Sequence, residues 1–375
     1  MAEPRTDSAS RLLALDVFRG LTIAGMIVVN TPGSWTSVYP PLLHAEWHGW
    51  TATDTIFPFF LFIVGVSMAV SFARRRAQGA SRRELFLHSV RRAAIIFGLG
   101  LALNVLSFFV FHRAHLRIPG VLQRIGVVYL FAAAIFLAFG RRGVLVSVIL
   151  LLVGYWALMR FVPVPGFGTG RLDLEGNLAA YMDRAVLGAH TWKPGWDPEG
   201  PLSTIPAIAT ALLGALAGEW IRSDPVRHKL MGLIFGGWLA VGLGLLWSLS
   251  FPINKNIWTS SYAVFMSGLA ALLLALCIVI VDGKGWHGWA RPFEWLGRNA
   301  IAAFVLSTLV TILSLGVKLP GPDGKPRSLY ATIYRTVFDR FADPRLGSLL
   351  FALVYLAVWI AVCGLLYRKR VFVKV

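Results

Sequence analysis

The 375-residue chain is 57% hydrophobic and only 14% charged, with a mean hydropathy of +0.67. A soluble protein of this size cannot bury so much apolar surface, so these values exclude a soluble fold and predict an all-α polytopic membrane protein. The net charge of +18 does not indicate nucleic acid, because Lys and Arg gather in short loops between apolar segments, where they set membrane topology.

Apolar segments recur along the chain at the length that crosses a membrane. Since about 20 such residues span the hydrocarbon core, we predict about ten transmembrane helices in one domain of residues 1–375. The predicted spans begin near Leu15, Thr55, Ala93, Gly120, Val144, Leu202, Met231, Trp258, Phe293 and Leu346. Cys277 and Cys363 both fall inside spans, so a disulfide framework is excluded.

Basic residues alternate from loop to loop. Arg5 and Arg11 precede the first span, and Lys and Arg clusters follow every second span, whereas segment 31–53 contains neither residue type. By the positive-inside rule, both termini are cytoplasmic and segment 31–53 is extracytoplasmic. The chain has no Asn-x-Ser/Thr acceptor without an intervening proline, which favours a bacterial cytoplasmic (inner) membrane over a glycosylated organelle membrane.

Two further segments are predicted to lie on the extracytoplasmic side. Segment 163–200 is long, rich in Gly and Pro, and suited to form a lid over a functional site. Segment 328–342 carries apolar residues at helical spacing together with arginines. It is predicted to be an amphipathic helix, either at the membrane interface or folded over the bundle.

The first loop and the second span carry the strongest candidate site. His44, Glu46, His48 and Asp54 lie just outside an apolar run, where ionisable groups usually have a function. The four-residue spacing of the two histidines raises a zinc hypothesis, but no Cys is near and the neighbouring prolines disfavour a helix. An imidazole that accepts a proton or an acyl group fits better, although the residues alone do not choose between the two histidines.

Other polar groups lie at or inside predicted spans. Asp16 and Arg19 are three residues apart, which favours a structural ion pair. A buried Arg124 needs an anion, and Arg298 has no obvious partner in the sequence. Asp197 and Glu199 precede the sixth span, where carboxylates favour a helix N-terminus. No Walker loop, GxSxG or Cys-rich metal motif occurs, which disfavours the common NTPases and serine hydrolases.

Several motifs resemble one known family. They are LDVFRG, LLHAEWHGWTATDTIFPFFLFIVG, RIPGVLQRIGVVY, YMDRAVLG, WDPEGPLSTI, PINKNIWTSSY and YRKRVFVKV, which together extend over essentially the whole chain. In this order they resemble the heparan-α-glucosaminide N-acetyltransferase family and its bacterial relatives, a branch of the transmembrane acyltransferases. The resemblance implies that His44 is the active-site histidine, that Asn30 is a nearby polar site residue, and that the protein is a homodimer. His48 stands where the family pattern has asparagine.

The resemblance also implies the reaction. The family takes acetyl-CoA from the cytoplasm and acetylates an amino sugar across the membrane, so we predict acetyl transfer to an extracytoplasmic amino sugar or glycan hydroxyl without a metal. Asp54 is predicted to orient His44. The donor is predicted to be bound by Gln123, Arg124, Asn254, Lys255, Asn256 and Arg298. The alternatives are a transporter or channel for an anion or a sugar, with arginines lining its path, and a lipid-binding scaffold.

Overall fold

The structure is a computed structural model that describes residues 13–222, 226–321 and 325–373. Arg5 and Arg11, which entered the topology prediction, lie outside these residues. The described part is almost wholly helical, as predicted. Its helices are α1 (Leu13–Asn30), α2 (Ala52–Ala77), α3 (Arg82–Val110), α4 (Val121–Ala138), α5 (Arg141–Phe161), α6 (Leu178–Leu187), α7 (Thr204–Trp220), α8 (Val226–Ser248), α9 (Ser260–Cys277), α10 (Arg291–Arg298), α11 (Ala300–Gly316), α12 (Leu329–Ile333) and α13 (Pro344–Arg368).

Within the described ranges, eight helices are long and apolar enough to cross a membrane, and a ninth span is formed if α10 and α11 count as one. The polytopic membrane fold is therefore confirmed, and every predicted apolar segment is helical. The prediction of about ten spans differs at two places. Helix α7 has only 17 residues, and α10 and α11 meet at an angle of 84°. Helix α7 packs against α2, α4, α5 and α9, and most of its residues are buried. Its apolar side chains therefore contact other helices more than lipid.

The centre of the bundle is the contact between α2 and α7. Gly65 on α2 and Gly214 on α7 let the two backbones approach, because an added Cβ would lie 1.8 Å from the Ala211 carbonyl oxygen or 2.0 Å from the Phe62 carbonyl oxygen. Small residues are the usual means of close helix packing in membranes. This contact fixes the start of α2, which carries the candidate site.

We expect Gly65→Ala to destabilise the protein, because the new methyl group would meet main-chain atoms of α7 that cannot rotate away. Overpacking of this kind typically costs about 1–3 kcal/mol. The thermal unfolding midpoint of the purified protein should fall. Gly98→Ala on α3 is the matched control, since a Cβ there meets nothing within 4 Å. Equal midpoints for the two variants would contradict the proposed packing.

Segment 328–342 is less regular than predicted. Helix α12 continues into a π-helical turn (Tyr334–Phe338), after which the helix ends. Tyr330, Tyr334 and Phe338 all pack against Phe351 of α13. A two-stranded hairpin, β1 (Lys318–Pro320) with β2 (Pro326–Ser328), precedes it and was not predicted. One face of the segment therefore packs on the bundle, while its placement at a membrane interface stays a prediction.

Segment 163–200 is folded more than its Gly and Pro content suggested. It contains α6, whose Asn177 cap accepts a hydrogen bond from the Ala180 backbone N–H at 2.8 Å. Leu178 and Ala179 pack in a small apolar cluster with Tyr155 of α5. Trp196 of this segment packs edge-to-face against Trp47 of the first loop with ring centroids 5.5 Å apart. The segment thus lies beside the loop that carries His44.

Candidate active site

The loop before α2 is held by one carboxylate. Asp54 is the third residue of α2 and completes a capping box with Thr51. Its Oδ2 accepts hydrogen bonds from the backbone N–H groups of Ala45 and Thr51, both at 3.0 Å. The Tyr262 hydroxyl donates to the Asp54 carbonyl oxygen at 2.6 Å. Asp54 is 1% exposed, so its position and ionisation are fixed by these donors.

The other oxygen of Asp54 binds His44. The distance from His44 Nδ1 to Asp54 Oδ1 is 2.6 Å. A carboxylate can only accept here, so Nδ1 carries the proton and Nε2 presents a lone pair. The His44 side chain is 49% exposed, so a reactant can reach Nε2. An imidazole oriented by a buried carboxylate can act as a general base or as a nucleophile.

Lys255 completes a group of three charged or titratable side chains, the His44 triad (His44, Asp54 and Lys255). Its Nζ lies 3.1 Å from each ring nitrogen of His44 and 3.8 Å from Asp54 Oδ1. Burial lowers the pKa of Lys255, and the carboxylates of Asp54 and Glu199 partly offset this effect. The ammonium group thus stands where it could stabilise a negative charge that develops on a reactant oxygen next to Nε2.

His48 has a different environment from His44. Asn254 Nδ2 donates to His48 Nδ1 at 3.3 Å, and the Gly49 N–H donates to the Ile253 carbonyl oxygen at 2.8 Å. Burial lowers the pKa of His48, and no carboxylate contacts its ring. These bonds join the first loop to the turn before α9. No group of three potential metal ligands occurs in the described ranges, and Glu46 is exposed.

The turn before α9, residues 251–259, is stabilised by hydrogen bonds of the polar residues that the sequence analysis identified. Asn254 is fully buried; its Oδ1 accepts from the Ile257 N–H, and its own N–H donates to Thr259 Oγ1. Ser260 donates to the Leu152 carbonyl oxygen. Asn256 is half-buried, and its side chain forms no hydrogen bond with any described residue. Asn254 therefore helps to position His48 and the turn that carries Lys255.

A second charged cluster adjoins the triad. Arg117 donates to both oxygens of Asp197, at 2.8 and 2.7 Å, and to Glu199. These carboxylates raise the pKa of Arg117 against the effect of burial. Asp197 and Glu199 thus form an ion-pair network with Arg117, a role the sequence did not predict. Gln123 is buried and donates to the Ile118 carbonyl oxygen at 3.0 Å.

Asp183 of α6 lies beneath this network. Its Oδ2 accepts from the Asp197 N–H at 2.9 Å, while Oδ1 has no hydrogen-bond partner in the described structure and lies over the Cα of Gly200. Burial raises the pKa of Asp183 from 3.8 to about 7, opposed by the Asp197 N–H. In the unfolded chain Asp183 ionises near pH 4, whereas in the folded protein it stays protonated up to about pH 7. The free energy of unfolding therefore decreases as the pH rises from about 4 to about 7.

Asp183→Asn should therefore remove part of the pH dependence of stability. We expect the unfolding midpoint of the unmodified protein to fall between pH 5 and pH 8 more steeply than that of the variant, because only the former must ionise a buried carboxyl group. Asp173→Asn serves as the control, since Asp173 is exposed and Arg171 lowers its pKa. Parallel pH profiles for Asp183→Asn and the unmodified protein would contradict the assignment.

Arg298 lies far from the triad and has partners. Its Nη2 is 2.7 Å from Glu294 Oε1, and its Nε is 3.8 Å from Asp16 Oδ2. Asp16 also pairs with Arg19, whose Nη2 donates to Ser67 Oγ at 2.6 Å, so the predicted ion pair is present. Ser67 follows Asp54 by 13 residues, roughly 20 Å along α2. No partner of Arg298 was obvious in the sequence, but the structure supplies Glu294 from the preceding turn of α10 and Asp16 from α1.

Comparison with known proteins agrees with the motifs around this site. The family model of the catalytic region of heparan-α-glucosaminide N-acetyltransferase matches residues 11–242. The chain belongs to this family. It is 31% identical to heparan-α-glucosaminide N-acetyltransferase of Mus musculus over 100% of this chain and 62% of the mouse protein. The human (Homo sapiens) protein of that name is 30% identical over 97% of this chain and 60% of its own length. The chain thus spans about 62% of the length of the mouse relative.

The matched region of this N-acetyltransferase family member contains His44, Asp54 and Arg124, while Lys255 lies after it. Asn30, which the resemblance placed near the histidine, is exposed at the end of α1, and its side chain forms no hydrogen bond within the described residues. The geometry therefore joins His44, Asp54 and Lys255 and leaves Asn30 apart. The role of Asn30 stays a prediction.

Sequence reasoning missed three contributors to the site. Thr51 caps α2 and donates to the Leu43 carbonyl oxygen at 2.6 Å. The Thr-x-x-Asp spacing of Thr51 and Asp54 is a capping signal that was readable in the sequence. Tyr262 and Asp183 reach the site from distant segments and left no local signal. Both lie in motifs that carry the family resemblance, YMDRAVLG and PINKNIWTSSY, but no role was predicted for them.

Proposed function

We propose that the protein is a membrane-embedded acetyltransferase that moves an acetyl group from acetyl-CoA to an amino sugar or a glycan hydroxyl through His44. The carrying observation is the 2.6 Å contact between His44 Nδ1 and buried Asp54 in a member of this family. The named relatives are heparan-α-glucosaminide N-acetyltransferases, which supports an amine of a sugar as acceptor. The proposal that this chain is an acetyltransferase rests on its similarity to these relatives and on the geometry of the His44 triad.

The reaction needs one proton acceptor, and His44 Nε2 supplies it. The acceptor nitrogen attacks the thioester carbonyl carbon while Nε2 takes its proton. A C–N bond forms, the C–S bond breaks, and CoA leaves as a thiolate that receives the proton from the imidazolium. The same lone pair can instead attack the thioester first, so that the C–S bond breaks, CoA leaves as a thiolate and acetyl rests on Nε2. The acceptor nitrogen then attacks this acetyl group, the bond from Nε2 to the acetyl carbon breaks, and the proton of the acceptor goes to the thiolate. Both routes depend on Nδ1 donating to Asp54.

Lys255 is proposed to stabilise the oxyanion of the tetrahedral intermediate. Its Nζ lies beside Nε2, whereas the Asn254 amide is already used by the protein. The Lys255 side chain is only 16% exposed, and a cation held out of bulk water stabilises a developing charge more than a solvated one. Of the six predicted donor-binding residues, Lys255 is the one proposed to act at the reacting atoms. Arg298, on α10 and far from the triad, is proposed to meet CoA where it enters from the cytoplasm.

The test is acetyl transfer by purified protein. Labelled acetyl-CoA and glucosamine should give N-acetylglucosamine and free CoA in equal amounts, with little CoA released when glucosamine is omitted. Release of CoA without acetylated sugar would contradict the proposal. Uptake of sugar or anions into protein-containing liposomes without acetyl-CoA would favour the transporter instead.

A further inference from the structure

A cavity of about 450 Å³ lies between α3, α4, α6 and α7. This volume is in the range of small-molecule sites, roughly 300–1,000 Å³. Most of its wall is apolar and comes from Phe97, Val127, Phe131, Leu187, Ile205 and Ile208. None of these residues belongs to the triad.

Arg124 supplies the polar end of the cavity. It is 2% exposed and lies 5.3 Å from the ring centroid of Trp258. Its Nη2 donates to the Gly200 carbonyl oxygen at 3.1 Å and to Ser203 Oγ at 2.5 Å. Its Nε and Nη1 are buried, and no described residue accepts a hydrogen bond from them. Buried donors without acceptors are costly, so this edge of the guanidinium group is suited to an oxygen ligand.

The charges around Arg124 restrict that ligand. Arg117 pairs with Asp197 and Glu199, whose negative charges also act on Arg124, and Lys255 lies beside Asp54. A head group that is neutral or singly negative is compatible with this balance, whereas the several phosphate charges of CoA are not. The apolar wall also offers few partners for the amide groups of a pantetheine arm. Arg124 is therefore a poor site for the CoA phosphates.

The cavity is next to the surface that faces lipid. Phe131 is 52% exposed and Ile118 is 38% exposed, and both line the cavity. Arg124 and Phe131 are seven residues apart on α4, roughly 10 Å along the helix. An apolar chain can thus enter from the bilayer and lie along α4. A head group at Arg124 would then lie near the triad, because the positive charge of Arg124 is close enough to Lys255 to lower the pKa of its ammonium group.

We propose that this cavity binds the hydrocarbon chain of a membrane amphiphile and that a neutral or singly negative oxygen-bearing head group accepts hydrogen bonds from Arg124 Nε and Nη1. The buried, unpartnered edge of Arg124 and the apolar lining carry the proposal. It assigns the cavity to a lipid, and places the donor elsewhere. The inference does not depend on acetyl transfer.

The test is photolabelling with palmitic acid that carries a diazirine in its chain, in phosphatidylcholine vesicles containing the full-length protein. Adducts should map to Phe97, Ile208 and their neighbours. Val127→Trp, which fills the cavity, should reduce this labelling several-fold. Ala138→Trp, which adds the same bulk at the exposed end of α4, should leave it unchanged. Excess acetyl-CoA should not compete.

Two results would overturn the proposal. Labelling confined to outward-facing residues, with no effect of Val127→Trp, would show that the cavity is not a lipid site. Competition by acetyl-CoA in the unmodified protein would assign the cavity to the donor, and this measurement holds even if Val127→Trp does not fold. Because labelling needs no catalysis, its outcome is distinct from that of the acetyl-transfer assay.

Discussion

His44→Ala should lower the rate of acetyl transfer by roughly 10²–10⁴-fold, the range typical of a lost general base. The reason is that the alanine side chain offers no lone pair at the position of Nε2. The measurement is the rate of N-acetylglucosamine formation from labelled acetyl-CoA by purified protein. The thermal unfolding midpoint should change little, because the His44 ring is half exposed and its removal leaves the cap of α2 intact.

His48→Ala is the matched control for this variant. The two histidines belong to the same loop, but His48 contacts Asn254 and no carboxylate. Its replacement should leave the rate within the same order of magnitude. Equal losses in both variants would indicate that the loop structure, and not the His44 imidazole, limits the reaction. An unchanged rate in His44→Ala would remove His44 from the mechanism.

Asp54→Asn is expected to have the second large effect. An amide at this position can donate to His44 Nδ1, which would move the ring proton to Nε2 and abolish the lone pair there. In the catalytic triad of serine proteases a wrong histidine tautomer of this kind costs about 10⁴-fold in rate. We expect a loss of roughly 10²–10⁴-fold in kcat with a smaller change in KM.

Thr51→Ala separates catalysis from helix capping. It removes the capping hydroxyl while Asp54 Oδ1 still binds His44 Nδ1, so the unfolding midpoint should fall by the equivalent of about 0.5–2 kcal/mol. The rate at a temperature where the protein is folded should stay close to that of the unmodified protein. If Thr51→Ala lost as much activity as Asp54→Asn, the effect of Asp54 would be structural.

Hydropathy predicted the membrane fold because lipid-facing helices must be apolar along their whole length. The number of spans predicted from hydropathy differs from the structure at two places, α7 and the pair α10 and α11. Helix α7 is apolar because other helices surround it, and the bend between α10 and α11 divides one apolar segment into two short helices. The hairpin of β1 and β2 has three residues in each strand, too few for a periodic pattern. Local sequence patterns therefore predicted which segments are helical more reliably than where each helix ends or bends.

The candidate site was partly readable in the sequence. His44 and Asp54 are close in the chain, and the capping geometry that joins them follows a local rule. Lys255 meets His44 across 211 residues, a juxtaposition that composition and spacing do not encode. The same holds for Arg298 and Asp16, which lie on helices far apart in the sequence, so no partner of Arg298 was obvious from the sequence. Long-range pairs of charges depend on helix packing, which a single sequence does not determine.

The central claim is tested most directly in sealed proteoliposomes that contain glucosamine and receive labelled acetyl-CoA only from outside. We predict that labelled N-acetylglucosamine accumulates in the lumen with the unmodified protein and not with His44→Ala. Detergent should release the product without being required for its formation. Product that forms only when both substrates are on the same side, or forms equally with His44→Ala, would contradict acetyl transfer through His44 across the membrane.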